Sequence, residues 1–273
     1  MFANAIDDSL MGVDLVLRGD DHLSNTPRQI ALLQALELPL PKFAHVSLFT
    51  GSDGAPLSKR NGSLSVKDLK KLGYLPKAVA NYLARVGHTI SDNDLKTLEQ
   101  LSDSFQTQNI SSSPSKFDLD QLLFWQKRTV ESLTVQESDV WLSEYLTNLP
   151  ADIDREDFIK LIKENINFPL EAKEYMDNLF FTNLKDSETV KDILTSAGKE
   201  FFESAHKVVS KGIDDWGYTV KSIGEESGKK GKELFMPLRA AITGQTTGPE
   251  LDKVVSLVGL ERVLVRLTEA SKL

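Results

Sequence analysis

The chain has 273 residues, 40% hydrophobic and 26% charged, a globular composition too long for one small core. Its lack of cysteine excludes disulfides and thiolate-held zinc, and its net charge of −8 excludes a uniformly basic nucleic-acid coat. No apolar run reaches the length of a membrane span and the first residues lack a secretory pattern, so a cytoplasmic protein without a bound metal is expected.

The predicted elements begin with MGVDLVLRG. There Val13, Leu15 and Leu17 alternate with Asp14, Val16 and Arg18, which predicts a strand at the opening of the chain. Thr26, Pro27 and Gln29 read as N-cap, first helical position and capping-box partner of a helix buried along Ile30, Leu33 and Leu36. HVSLFTG is a second apolar run and ends at the loop GAPLSKRNG. From Ser65 the period becomes helical. A helix starts at Pro76, and others are predicted over Leu119–Glu131, Glu137–Leu149, Arg155–Asn165, Leu170–Phe181 and Val190–Lys211. The polar, glycine-rich SIGEESGKKGKELF precedes MPLRAAITGQTTGPEL and two short terminal helices, the first lined by Leu251, Val254, Val255 and Val258. No strand alternation stands out after Leu64. The expected fold is mainly α: a partial α/β, Rossmann-type region followed by all-helical regions. One or two parallel strands cannot bury both faces of a sheet, so the α/β region reads as incomplete.

Two segments carry candidate chemistry. Arg18 and Gly19 fall at the C-terminal end of a predicted strand, where open α/β sheets place ligands, and an arginine there can hold a carboxylate through two parallel hydrogen bonds. Asp20, Asp21 and His22 follow directly, before a helix N-terminus. In GAPLSKRNG, Lys59 on a glycine-flanked loop can neutralise charge on a polyphosphate, with Ser58 donating a hydrogen bond and Arg60 adding positive field. The spacing is not that of a P-loop. Taken alone, each segment reads as a solvated turn sooner than as a site, the two-cation loop most of all. Trp125, Trp141, Trp216 and the pair Phe201–Phe202 read as core packing rather than as platforms for bases.

The joint order of these segments, RGDDHLSNTPRQIALLQALELPLPKFAHVSLFTGSDGAPLSKRNGSLSV, resembles the second half of the catalytic domain of class I aminoacyl-tRNA synthetases, the glutamyl enzymes in particular. MPLRAAITGQTTGPELDKVVSLVGLERVLVRL resembles the end of their anticodon-binding region. The resemblance implies a catalytic portion over 1–66, a helical stem-contact region over 67–135 and an anticodon-binding region over 136–273. It implies that Ser58, Lys59 and Arg60 form the catalytic loop, and that Lys59, Leu57, Leu48, Phe49, Asp21 and His22 face ATP. Arg18 and Asn4 would bind glutamate, and Arg239 would read an anticodon base. Glutamate, ATP with Mg2+, and tRNA(Glu), with tRNA(Gln) as a second candidate, are the implied substrates and cofactors of the parent enzyme, a monomer without a membrane partner, and neither ATP nor Mg2+ is expected to stay tightly bound to this chain. Lys70, Lys71, Lys77 and Arg85 are candidates for the inner tRNA backbone, and Lys229, Lys230 and Lys232 for the anticodon loop. Three features depart from the family pattern: Pro56 replaces the first lysine of the mobile signature, Gly248 aligns with a family threonine, and the His-x-Gly-His signature is absent. The last implies a C-terminal portion that binds tRNA but does not adenylate alone. The alternatives are a free-standing tRNA-binding module and one half of a split synthetase, the latter docking through Phe2–Ile6 and Val13–Leu17.

Overall fold

A computed structural model of the chain describes residues 2–51, 54, 57, 65–90, 92–111 and 113–273, with Thr189 described by its backbone alone. The chain forms two compact units, Met1–Thr129 and Val130–Leu273.

The first unit opens on a helix, α1 (Phe2–Leu10), rather than on a strand. Its buried positions, Ala5 and Ser9, are one turn apart, and the Ser9 hydroxyl donates to the Pro39 carbonyl at 2.8 Å. The alternation that suggested an opening strand begins only at Val13. Strand β1 (Leu15–Gly19) pairs in parallel with β2 (Lys42–Val46), in a register that sets Leu15 beside Lys42 and Arg18 beside His45. Between them lie a 3-10 turn (Asp20–Asn25) and helix α2 (Thr26–Ala35). A second parallel pair joins β3 (Phe49–Thr50) to β4 (Ser115–Lys116). Strand β4 lies beyond Leu64, where no strand is expected, because two residues are too few to show an alternation.

The helical part of this unit comprises α3 (Val66–Leu72), α4 (Pro76–Leu83), α5 (Leu98–Ser104) and the start of α6 (Leu119–Ser132). Reciprocal capping boxes start α3 and α5, through Ser65 with Asp68 and Thr97 with Gln100. Gly73 ends α3 in the left-handed region, at φ 93°. Leu69, Ala78, Tyr82, Leu122 and Trp125 form the core. Buried amides fix the connections. Gln126 accepts from Leu75 N at 2.9 Å and donates to the Gly73 carbonyl at 3.2 Å. Asn81 donates to the carbonyls of Lys77 and Lys96, both at 2.8 Å, and its oxygen accepts from Lys96 N at 2.9 Å and Arg85 Nη1 at 3.0 Å. All of its capacity is used.

The second unit is all helical among its described residues. Helices α7 (Val135–Leu142), α8 (Arg155–Ile162), α9 (Pro169–Phe180), α10 (Glu188–Ala197), α11 (Lys199–Val209), α12 (Trp216–Ser227), α13 (Lys232–Thr243) and α14 (Leu251–Ala270) enclose one core that includes Phe158, Phe202, Leu238 and Leu267. The single helix expected over Val190–Lys211 is two, because Gly198 adopts φ 81° and ψ 159°. Helix α7 ends at Leu142 rather than at Leu149, the chain continuing through turns. The first part of the polar, glycine-rich stretch, residues 222–227, is helical, since Thr219, Val220 and Ile223 give α12 a buried face. Gly259, at φ 81°, kinks α14 into the two expected terminal segments. Trp125, Phe201 and Phe202 are buried as expected, while Trp141 and Trp216 are half-buried against the second core.

Replacing Asn81 with alanine leaves Arg85 and two backbone groups short of partners. The first unit is expected to lose roughly 2–3 kcal/mol, read as lowered hydrogen-exchange protection of α4–α6. The Asp92 carboxylate is held below its ordinary range, first by the Asp94 N–H and then by Lys96. Its folded pKa being depressed, its contribution is complete above an unfolded value of about 4 and lost as pH falls through the lower folded value. Asp92→Asn is therefore expected to flatten the acid limb of the melting-temperature profile of this unit.

Candidate substrate and RNA sites

In the first unit the register of β1 with β2 builds a three-residue cluster. Arg18 Nη2 donates to Thr26 Oγ1 at 2.8 Å, and Thr26 Oγ1 lies 3.0 Å from His45 Nε2. The Arg18 guanidinium also stands 5.3 Å from the centroid of the Phe43 ring, on the neighbouring strand. Its Nε is buried and has no hydrogen-bond partner among the described residues. A buried donor of that kind requires an acceptor, and no carboxylate of the described residues pairs with Arg18. The arrangement suits a planar anion.

The recruitment of Thr26 corrects its expected role. Asn25, not Thr26, holds the N-cap position of α2, and no side chain caps the helix there. The Thr26 hydroxyl is engaged by Arg18 and His45 instead. Gln29 is correspondingly no capping-box partner; it is buried, with its Oε1 unpartnered among the described residues. Pro27 does fall in the first turn. His45 was missed because its neighbourhood depends on strand register, which no local pattern specifies.

Several predicted residues converge on Gly19. A Cβ at this position would lie 2.4 Å from Asp21 Oδ1 and 2.9 Å from Leu48 Cδ2, so only glycine lets both side chains approach. His22 and Asp21 form an exposed pair at 3.6 Å, and His22 Nδ1 lies 3.1 Å from Asn25 Nδ2. Leu57 N donates to the Phe49 carbonyl at 3.1 Å, joining two of the proposed ATP-facing positions through backbone. Asn4 is exposed on α1 and shares no side-chain hydrogen bond with this cluster. Ser58, Lys59 and Arg60 lie outside the described residues, as does Pro56. Among the described residues no group of three or more metal-ligating side chains occurs.

In the second unit Arg239 lies half-buried on α13, and its Nη1 donates to the Pro249 carbonyl at 2.8 Å. The simplest structural role for it, an ion pair with Glu233 or Glu250, is not formed. Glu233 pairs with Lys229 at 3.5 Å and Glu250 with Lys253 at 2.7 Å. Arg239 thus retains most of its five donors. Lys230 and Lys232 are exposed.

Arg85 behaves differently from its expected place at an RNA surface. Its side chain is 12% exposed, 4.1 Å from the Trp125 ring centroid, and bonded to the carbonyls of Asn81, Asp92 and Asp94. Lys70, Lys71 and Lys77 are exposed as expected.

Residues 1–124 match the model of the class I tRNA synthetase catalytic domain for E and Q, and residues 134–271 match the anticodon binding domain. Glutamate–tRNA ligase 1 of Halorhodospira halophila is 45% identical over 273 residues, covering 100% of this chain and 57% of that protein. Glutamate–tRNA ligase 2 of Coxiella burnetii is 43% identical over 271 residues, covering 99% and 58%. The glutamate–tRNA synthetase structure from Elizabethkingia anophelis superposes with a TM-score of 0.82 at 20% identity, covering 100% of this chain and 59% of that one, and shows the shared fold. The chain belongs to the glutamate–tRNA ligase family of class I aminoacyl-tRNA synthetases. It spans less than three-fifths of the length of the relatives it matches.

Thr26→Val keeps the shape of the Arg18 cluster and removes its oxygen. It is expected to destabilise the first unit by about 1–2 kcal/mol, measured as reduced hydrogen-exchange protection of β1 and α2.

Proposed function

We propose that the chain binds tRNA(Glu) through its anticodon loop, as the RNA-reading part of a glutamate–tRNA ligase. The observation that carries this reading is Arg239, oriented by one backbone carbonyl and left without a carboxylate partner among the described residues. A planar guanidinium so held can hydrogen-bond the edge of an unpaired base or stack on it. The neighbouring exposed Lys230 and Lys232 would meet phosphates, a contribution that weakens with salt. Residues 67–135 would touch the tRNA stem through Lys70, Lys71 and Lys77, and residues 136–273 would hold the anticodon loop.

The activity of the whole ligase is glutamate activation by ATP, carried with magnesium, and transfer of glutamate to tRNA. In that reaction Arg18 would hold a carboxylate of glutamate, since Thr26 Oγ1 is its one hydrogen-bond partner among the described residues and its Nε is unpartnered. Asp21, His22, Leu48, Phe49 and Leu57 would border the nucleotide, and Lys59, with Ser58 and Arg60, would neutralise charge as pyrophosphate leaves. Asn4 would assist glutamate binding.

One observation favours a second reading, in which another polypeptide surface covers the first unit. Leu15 and Leu17 on β1 are 42% and 45% exposed, whereas parallel sheets are ordinarily covered on both faces.

The test is a titration of labelled tRNA(Glu), of tRNA(Gln) and of anticodon-substituted tRNA(Glu) against the chain at several salt concentrations. Arg239→Ala is expected to weaken tRNA(Glu) binding by about 1–3 kcal/mol and to relax discrimination at one anticodon position, leaving the salt slope unchanged. Binding indifferent to the anticodon would defeat the reading.

A further inference from the structure

Helix α13 ends at Gly244, φ 67°, and the loop 244–250 folds back over α9. The loop is tied at its start by Thr243, whose hydroxyl donates to the Arg239 carbonyl at 2.8 Å and accepts from Gln245 N at 3.1 Å. It is tied at its end by Arg239, through the Pro249 carbonyl. Between these points it rests on the α9 face formed by Glu171, Tyr175 and Asn178, at positions i, i+4 and i+7.

The closest approach is at Gly248. A Cβ there would lie 2.9 Å from the Tyr175 hydroxyl, 3.0 Å from Cε1 and 3.4 Å from Cζ, and the backbone has φ 137°. Both facts require glycine. The loop therefore lies directly on the hydroxyl-bearing edge of Tyr175, one residue from the carbonyl that orients Arg239.

Tyr175 also lines a polar cavity of about 480 Å3, with Asn165, Glu171, Asn178, Gln245 and Thr246 among its walls. No side-chain hydrogen bond among the described residues uses the Tyr175 hydroxyl. One oxygen of Glu171 accepts from Asn167 N at 2.6 Å, which fixes the carboxylate at the cavity wall. Glu174 stands beside it. Two carboxylates disfavour a phosphate here, while side-chain amides, a phenol and an oriented carboxylate match the N–H and carbonyl groups on a base edge. Burial, and then the nearby Glu171 charge, push the Tyr175 phenol above its ordinary range, so it remains a neutral donor at physiological pH.

We propose that Tyr175 is a specificity-determining residue: its hydroxyl bonds the edge of one unpaired anticodon-loop nucleobase seated in the cavity between α9 and loop 244–248. This inference rests on the anticodon-binding reading above and adds a second recognition point to Arg239. Tyr175 supports the loop that holds Arg239 and supplies a donor of its own. Phosphate contacts play no part in it.

The test is Tyr175→Phe, which keeps the ring against Gly248 and removes only the hydroxyl. Wild type and variant are titrated with tRNA(Glu) and with three transcripts, each substituted at one anticodon base, at several salt concentrations. The expected result is that the variant binds native tRNA roughly tenfold more weakly, loses discrimination at one anticodon position and keeps the wild-type salt slope. A melting temperature equal to that of wild type shows the loss to be local. If wild type discriminates among the transcripts and Tyr175→Phe discriminates equally well at all three positions, the role assigned to Tyr175 is overturned while anticodon binding stands. If wild type itself binds all transcripts alike, anticodon reading falls and the Tyr175 assignment falls with it.

Discussion

Unpaired backbone carbonyls are the constraint around which this protein is organised. A chain built mostly from short helices leaves carbonyl groups at every helix end and in every connection, and each must find a donor or meet water. Here the donors are repeatedly cationic side chains. Arg266, 8% exposed, donates to the carbonyls of Asn178 and Thr182 at the end of α9, and burial lowers its pKa. Arg155 donates to Leu146, Lys163 to Leu133 and Arg128 to Asn93. Arg85 holds three carbonyls at once. Charged donors make these bonds stronger than neutral ones, which suits connections with little apolar area of their own.

The same constraint sorts the arginines by function. A buried guanidinium that carries several carbonyls has few donors left for a ligand, and Arg85 and Arg266 are of this kind. Arg18 and Arg239 are different. Arg18 gives one bond to a hydroxyl and keeps a buried Nε without a partner among the described residues. Arg239 gives one bond to Pro249. In both, a single hydrogen bond among the described residues orients the guanidinium. Orientation with spare donors is what the recognition roles proposed for Arg18 and Arg239 require, and residue type alone does not reveal it.

The two units solve different packing problems. The second encloses a continuous apolar core from eight helices, so amphipathic periodicity determines most of it. The first has, among its described residues, a small core cluster of five buried residues and relies on buried amides, Asn81 and Gln126, to fix its turns. A polar network of that kind specifies one geometry only when every member is satisfied, as Asn81 is. A fold held by backbone satisfaction and periodic burial tolerates wide sequence change, consistent with a TM-score of 0.82 at 20% identity.

The sequence by itself determined the mainly helical class, the start of α4 at Pro76, the break between the terminal helices near Gly259, and the burial of Trp125, Phe201 and Phe202. Each follows from local periodicity or from the backbone limits of proline and glycine. The order of Arg18, Asp21, His22 and the Ser58–Arg60 segment was also enough to suggest the family that the comparisons show. Tertiary structure decided the rest. The sequence displayed Thr26 as a cap, and only the register of β1 against β2 turned it into the partner of Arg18 and His45. Arg85 looked like a surface cation until Trp125 and the 92–94 carbonyls enclosed it. Tyr175 and Gly248, 73 positions apart, carry no shared local signal, yet a Cβ at Gly248 would lie 2.9 Å from the Tyr175 hydroxyl. Side-chain partners across such separations are set by how helices pack and strands align, and neither quantity is encoded in any single window of the chain.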